Sequence, residues 1–316
     1  MNKIKRSGRL LKASFAVLFR EKKLLLFPFI ATGLAAVVAL FFIAPIVLQP
    51  TGFSYTSGKH WETLLQTLPV KQMQFANLKV GSADAPMTHY WVAALFALAY
   101  FTSMFLATFC NVSFYHEIMQ ALGGNAVSIR RGFRFAAARW RAVLLWSLFA
   151  GLVGYIINAI EQRVSFLGKI IGSFLGFAWS IACIFIIPTL VCEEKTENPL
   201  KLLHASAGTL KRTWGELVIG FAGMELAFGF ATLLLIIVAM LTGGAATFFI
   251  CWHFHWSEWW ILPVVLCEWF SLAMLLGVVG SVVNPVYRCA LYIYAIEGVV
   301  PGSFDKELLD SAWKVK

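Results

Sequence analysis

Charge is what this sequence has least of. Asp, Glu, Lys and Arg make up 13% of its 316 residues, about half the share found in a typical soluble domain. Its length alone would suggest roughly two soluble domains, but the polar surface needed to cover a globule of that size is missing. Cysteine is sparse too. The six present include no CxxC spacing, so neither a zinc framework nor a disulfide-stapled secreted scaffold is supported. A disordered chain and a collagen-like fibre are excluded by the same composition. The chain also has no Walker loop, GxSxG elbow or dinucleotide fingerprint, which disfavours an ATP-driven pump acting alone. His116-Glu117 opens an HExxH pattern, but position 120 is Gln120 and the zinc-protease motif fails.

What fills the chain instead is apolar. Hydrophobic residues reach 59% and the mean hydropathy is +0.75, the signature of a polytopic membrane protein. A hydrocarbon core of about 30 Å needs runs of about 20 apolar residues. Six occur: Leu24–Leu48, Trp91–Tyr115, Val143–Ile160, Leu167–Cys192, Leu217–Thr242 and Trp260–Val283. The sixth is expected to continue as helix through Tyr287–Ala295. Open sheet edges cannot face lipid, and the chain is rich in Leu, Phe and Ala with little alternation, so the fold class expected is all-α.

The net charge of +10 is resolved by position. Twenty-one basic residues fall in the N-terminal segment, the segments after spans two and four, and the tail; five fall on the opposite side. This asymmetry predicts both termini in the cytoplasm. The basic excess is a collar set against anionic lipid, and nucleic acid drops out as a partner. Leu24–Leu48 is too long for a signal-peptide core and is expected to stay as an anchor.

A weak repeat runs through the chain. An amphipathic stretch precedes each odd-numbered span: Arg6–Phe19, Asn125–Trp140, and Asn198-Pro199 through Trp214. In the first, Leu10, Leu11, Phe15, Leu18 and Phe19 follow helical spacing, with the basic residues off that face. The tail, Val300-Pro301 through Trp313, repeats the pattern without a following span. The expected architecture is one membrane domain over residues 1–316, built as three helical hairpins. Each hairpin is preceded by an interfacial helix on the cytoplasmic leaflet. Residues 1–23 form the first such helix, 49–89 an outer loop and 296–316 a cytoplasmic tail. Arg130, Arg131, Arg134, Trp140, Trp214 and Trp313 are the expected lipid-interface residues, with rings at headgroup depth and cations beside anionic lipid.

The segments "GRLLKASFAVLFREKKLLLFPFIA" (Gly8–Ala31) and "ALYIYAIEGVVPGSFDKELLDSAW" (Ala290–Trp313) resemble a widespread prokaryotic family of integral membrane proteins classed as a domain of unknown function. More loosely, "NPLKLLHASAGTLKRTWGELVI" (Asn198–Ile219) is similar to the membrane domain attached to some glycerophosphodiester phosphodiesterases. Both resemblances imply a helical membrane fold. Neither implies a catalytic residue, since the enzyme of the second comparison works through a separate soluble barrel that has no counterpart here.

Ionisable groups inside a membrane are costly unless paired or solvated, so they are the first functional candidates. Glu225 lies roughly 13 Å from one end of span five, and Glu268 roughly 12 Å from the other end of span six. These depths agree within about 5 Å in a core of about 30 Å, so the two could share a proton or a cation. The plainer alternative is that each is protonated and hydrogen-bonded to a neighbouring helix. Pro188, and Asn284 with Pro285 ahead of Arg288, are hinge or gating candidates, since proline removes a backbone hydrogen bond; a static bend is the alternative. Arg288 could pair with Glu117 or Glu297, or reach lipid phosphate. Gly168, Gly172 and Gly176 form a small-residue stripe suited to close helix packing. His253, His255 and Glu258 could hold a metal, but among Trp252, Trp256, Trp259 and Trp260 they read first as an aromatic belt. No metal and no cofactor is expected.

The function expected is a transport-class membrane protein, a channel or carrier for a small ion or lipid-like solute, and not an enzyme. The alternative is a structural or regulatory membrane protein that binds lipids or partners through its interfacial helices. Six spans can line a pore within one chain or as a ring of copies, so a homo-oligomer is one of two expected assemblies.

Overall fold

The computed structural model describes residues 3–48, 50–67, 87–163, 166–193, 197–211, 261–302 and 304, with scattered helical positions between 229 and 249. Among the described residues every regular element is a helix. In chain order these are α1 (Lys3–Arg20), a 3-10 turn (Lys22–Leu25), α2 (Leu26–Val47), α3 (Gly58–Thr67), α4 (Met87–Leu122), α5 (Ile129–Ala138), α6 (Trp140–Arg163), α7 (Phe166–Ala182), α8 (Ile186–Cys192), α9 (199–211) and α10 (Ile261–Glu297). Five helical stretches are long and apolar enough to cross a membrane: Lys22–Pro45, Ala94–Leu122, Trp140–Glu161, Ile170–Cys192 and Trp269–Glu297. The chain is therefore a polytopic all-α membrane protein. Of the expected span Leu217–Thr242, only scattered positions from 229 onward are described, and these are helical.

The chain divides into two compact units. The first takes residues 1–28, 114–129 and 208–316. Here α1 packs against α10 through Ala13, Ser14, Val17 and Leu18, all buried at i, i+1, i+4 and i+5. This differs from the face read from the sequence. Leu18 is buried, whereas Phe19 is 68% exposed and stacks on Phe15 at 6.0 Å. Two apolar strips share this helix, and hydropathy cannot tell the one that meets protein from the one that faces out. Leu24 and Phe27 bury behind the 3-10 turn, and Phe27 stacks on Phe114 at 5.3 Å. The last turns of α4 end at Gly124, whose φ of +87° is the left-handed position that closes a helix and favours glycine. With 37 residues, α10 is about 55 Å long. It runs unbroken through Pro285 and onward past Ala295, as the expected extension of span six required.

The second unit takes residues 29–113 and 130–207. α6 and α7 form a tight hairpin. A side chain at Gly172 would meet Glu161 Cβ at 2.9 Å, so only glycine permits this approach. Gly172 and Gly176 of the small-residue stripe thus pack on α6. Trp146 and Trp179 stack at 6.1 Å, 13° from parallel, with Phe149 against the same ring. Between α7 and α8 the helix breaks at residues 183–185. Pro188 is the third residue of α8 and is buried. In a first turn its missing N–H costs nothing, while its ring would clash with the carbonyl four residues back in a continuous helix. Pro188 therefore starts a new helix rather than bending an old one. Asn198 caps α9 by accepting from Leu200 N–H at 2.9 Å, with Pro199 at the first helical position. Between α2 and α4 a short helix around Trp61 forms as α3. Buried His60 holds it to the end of α2, with Thr51 Oγ1 2.5 Å from Nδ1 and Val47 O 3.3 Å from Nε2.

Candidate functional site

Two arrangements stand out, one in each unit. In the second unit, α2 and α4 border a cleft of about 290 Å³. Its wall on α2 is Ala31, Thr32 and Ala35, and on α4 Ser103, Ala107 and Asn111 stand four residues apart with Cys110 beside them. Both walls lie well inside candidate spans, about 14–20 Å from Lys22 on α2 and about 14–26 Å from Ala94 on α4. Small side chains keep the gap open, and a hydroxyl on each wall, with the Asn111 amide, offers hydrogen bonds that the hydrocarbon core cannot. Thr32, Ala35 and Asn111 are exposed, so the cleft opens at the protein surface.

In the first unit, the foot of α4 carries Tyr115, His116 and Glu117. Glu117 is 0% exposed. Its Oε2 accepts from Ser128 N–H at 2.7 Å, and Oε1 lies 3.1 Å from His116 Nδ1. One residue earlier in the same turn, Val127 N–H donates to Glu21 Oε2 at 3.2 Å. Arg20 donates from its guanidinium to Ala121 O, closing the carbonyl end of α4. The turn 123–128 is therefore clasped by two carboxylates and an arginine. Buried carboxylates are stable where backbone N–H groups satisfy them. Arg288, on α10, donates to the Tyr115 hydroxyl. The sequence offered Glu117, Glu297 or lipid phosphate as its partner, and Tyr115 joins these.

The other sequence candidates are placed as follows. Glu225, Trp214 and Trp313 lie outside the described residues, as do His253, His255 and Glu258. Glu268 lies on α10 with only its backbone described. Asn284 and Pro285 sit within the continuous α10. Arg130 and Arg134 are exposed on α5, Arg131 is half-buried, and Trp140 is 50% exposed with Arg141 over its ring at 5.6 Å. Arg139, counted in the basic collar, instead donates to Leu190 O at 2.5 Å and Glu193 O at 3.1 Å while covering Phe135 at 4.6 Å. It caps α8.

The cleft was missed, and Glu117 was named only in a failed motif and as one partner for Arg288. The apolar run of span two stops at Tyr115, just ahead of Glu117. Its signal was the helical register that continues from Tyr115 to Leu122. The small residues Ser103, Ala107 and Asn111 at spacing four carried the cleft's signal.

Together these features define a multi-pass helical membrane protein with a cleft between α2 and α4 and a buried polar clasp at the foot of α4. The chain belongs to a family of unknown function (DUF6159), whose model matches residues 87–302. The matched stretch begins after Gly8–Ala31 and takes in the start of the Ala290–Trp313 segment. No curated protein and no solved structure matches the chain. The looser likeness of Asn198–Ile219 to a phosphodiesterase membrane domain gains no support from these comparisons.

Proposed function

We propose that this chain is a transport-class membrane protein, a channel or carrier for a small ion or a lipid-like solute, and not an enzyme. The cleft between α2 and α4 carries the reading. Its mixed lining suits a solute with an apolar body and a hydrogen-bonding head, which favours the lipid-like class over a hydrated ion. The surface opening allows such a solute to enter sideways from the bilayer. In this reading the chain is one membrane domain of six spans arranged as three hairpins, each entered by a cytoplasmic interfacial helix. Both termini are cytoplasmic at a prokaryotic inner membrane, and copies can assemble into a homo-oligomer. The 21-to-5 division of basic residues supports this orientation. The positions of α1, α5 and α9, directly ahead of the odd-numbered spans, support the hairpins. Glu225 and Glu268 are the coupling carboxylates, and the break ahead of Pro188 and the Asn284-Pro285 segment ahead of Arg288 are the gating elements.

Reconstitution in liposomes tests this. Wild-type protein is expected to speed movement of ions, protons or a fluorescent short-chain lipid. Ala107→Trp, which fills the cleft, is expected to cut lipid transfer several-fold, and Glu225→Gln and Glu268→Gln to cut any ion-coupled flux. A wild type that moves none of these sinks the reading. A second reading is a non-transporting protein that binds lipids or partners through its interfacial helices. It is favoured by Arg130 and Arg134, one turn apart and exposed on α5, with Trp140 beside them.

A further inference from the structure

The N-terminal segment has a surface that the clasp does not use. α1 is held to α10 by Ala13, Ser14, Val17 and Leu18. Its opposite face carries Arg9, Lys12, Ala16 and Phe19 at i, i+3, i+7 and i+10, all exposed. Lys22 and Lys23 follow in the 3-10 turn, also exposed, and the first candidate span opens at Lys22. Among residues 1–28 the sole carboxylate is Glu21. It is turned onto Val127 N–H, and the neighbouring Arg20 is turned onto Ala121 O. The clasp thus turns that carboxylate onto Val127 and holds the helix that presents the cations. Among the described residues, Arg9, Lys12, Lys22 and Lys23 face outward with an exposed phenylalanine ring, at the start of an apolar span.

We propose that Arg9, Lys12, Phe19, Lys22 and Lys23 form a docking surface for the headgroups of anionic phospholipids. Charge complementarity selects the occupant. Each basic side chain near an anionic leaflet adds attraction that a zwitterionic headgroup does not return. Phe19 and Leu26, both exposed, place apolar groups beside those cations, as a helix seated at the headgroup boundary requires. This deepens the second reading above by naming the lipid class and the residues, and it does not depend on transport.

The full-length protein in detergent is titrated with phosphatidylglycerol or with phosphatidylcholine of the same acyl chains, and bound lipid is counted by native mass spectrometry. Wild type is expected to prefer phosphatidylglycerol. Lys22→Gln with Lys23→Gln is expected to weaken that binding about 5-fold per lysine removed and to leave phosphatidylcholine unchanged. Lys22→Arg with Lys23→Arg keeps the preference and shows that the fold survives change at these positions. Lys59→Gln, an exposed lysine on α3, is expected to have no effect. A wild type that binds both lipids equally overturns the proposal. So does a preference that survives in the glutamine variants and falls only in Arg130→Gln with Arg134→Gln, which would put the headgroups on α5. Loss of flux alone, with the lipid preference intact, strikes the transport reading and leaves this one standing.

Discussion

The two halves of α10 share one helix and almost nothing else. From Ile261 to about Leu275 most of its described large side chains look outward, with Leu266, Phe270, Met274 and Leu275 all exposed. From Val282 to Tyr292 nearly every residue is buried, Tyr287, Cys289, Ala290 and Leu291 among them. At about 55 Å the helix is nearly twice as long as a hydrocarbon core of about 30 Å, so a single span cannot account for it. In the first half these side chains are left exposed, as side chains facing lipid would be. In the second they come from α1 and the foot of α4, in the unit that holds the clasp. Lipid tails are as apolar as leucine, so residues facing them gain little from association. Residues enclosed by protein lose their dispersion contacts outright when truncated.

The largest expected effect tests that division directly. Tyr287→Ala removes a fully buried ring, and such deletions cost about 3–5 kcal/mol. Phe270→Ala removes a ring that is 74% exposed and is expected to stay within about 0.5 kcal/mol of wild type. Unfolding in mixed micelles measures both. Similar costs at the two positions would erase the distinction between the halves.

Next in size is the carboxylate on which the second half's unit closes. Glu117→Leu leaves Ser128 N–H without its acceptor and His116 without its neighbour. Hydrogen bonds to charged groups contribute about 1.5–3 kcal/mol each, so a loss of about 3 kcal/mol is expected by the same unfolding assay. Glu117→Gln keeps an acceptor and should recover about half of that. Glu62→Leu, at an exposed glutamate of α3, should be near neutral. A neutral Glu117→Leu would mean that the clasp does not hold the turn.

Much of this was legible from residue order. The apolar runs located the five described spans, and Asn198-Pro199 marked the start of α9. The failures share one physical cause: hydropathy reports what a residue dislikes, not what it touches. Phe19 and Leu18 score alike, yet one is exposed and the other buried. The span ending at Tyr115 was cut where the first charge appeared, although the helix continued and the charge was enclosed by protein. Arg288 could be seen to need a partner, but a tyrosine 173 positions away in sequence carries no periodic signal. Pro188 was offered as a hinge or gating candidate with a static bend as the alternative, and proline statistics do not distinguish either from the fresh helix start found at α8.

The smallest effect separates two arginines of the collar that sequence treats as equals. Arg134 is exposed on α5, and Arg139 joins α5 to α6 with its guanidinium on the last carbonyls of α8. α8 has seven residues, too few to persist without tertiary support, and its unsatisfied carbonyl end attracts a cation. Arg139→Gln should therefore cost about 1–2 kcal/mol through the lost cap. Arg134→Gln should stay within about 0.5 kcal/mol, and any effect it has should fall on lipid binding. Lysine at 139 sharpens the test, because it keeps the charge and gives up the planar guanidinium, whose Nη1 meets both carbonyls. If Arg139→Lys behaves like wild type, the charge alone caps α8. If it behaves like the glutamine variant, the geometry does, and α8 is held to the α5–α6 joint by shape as much as by sign.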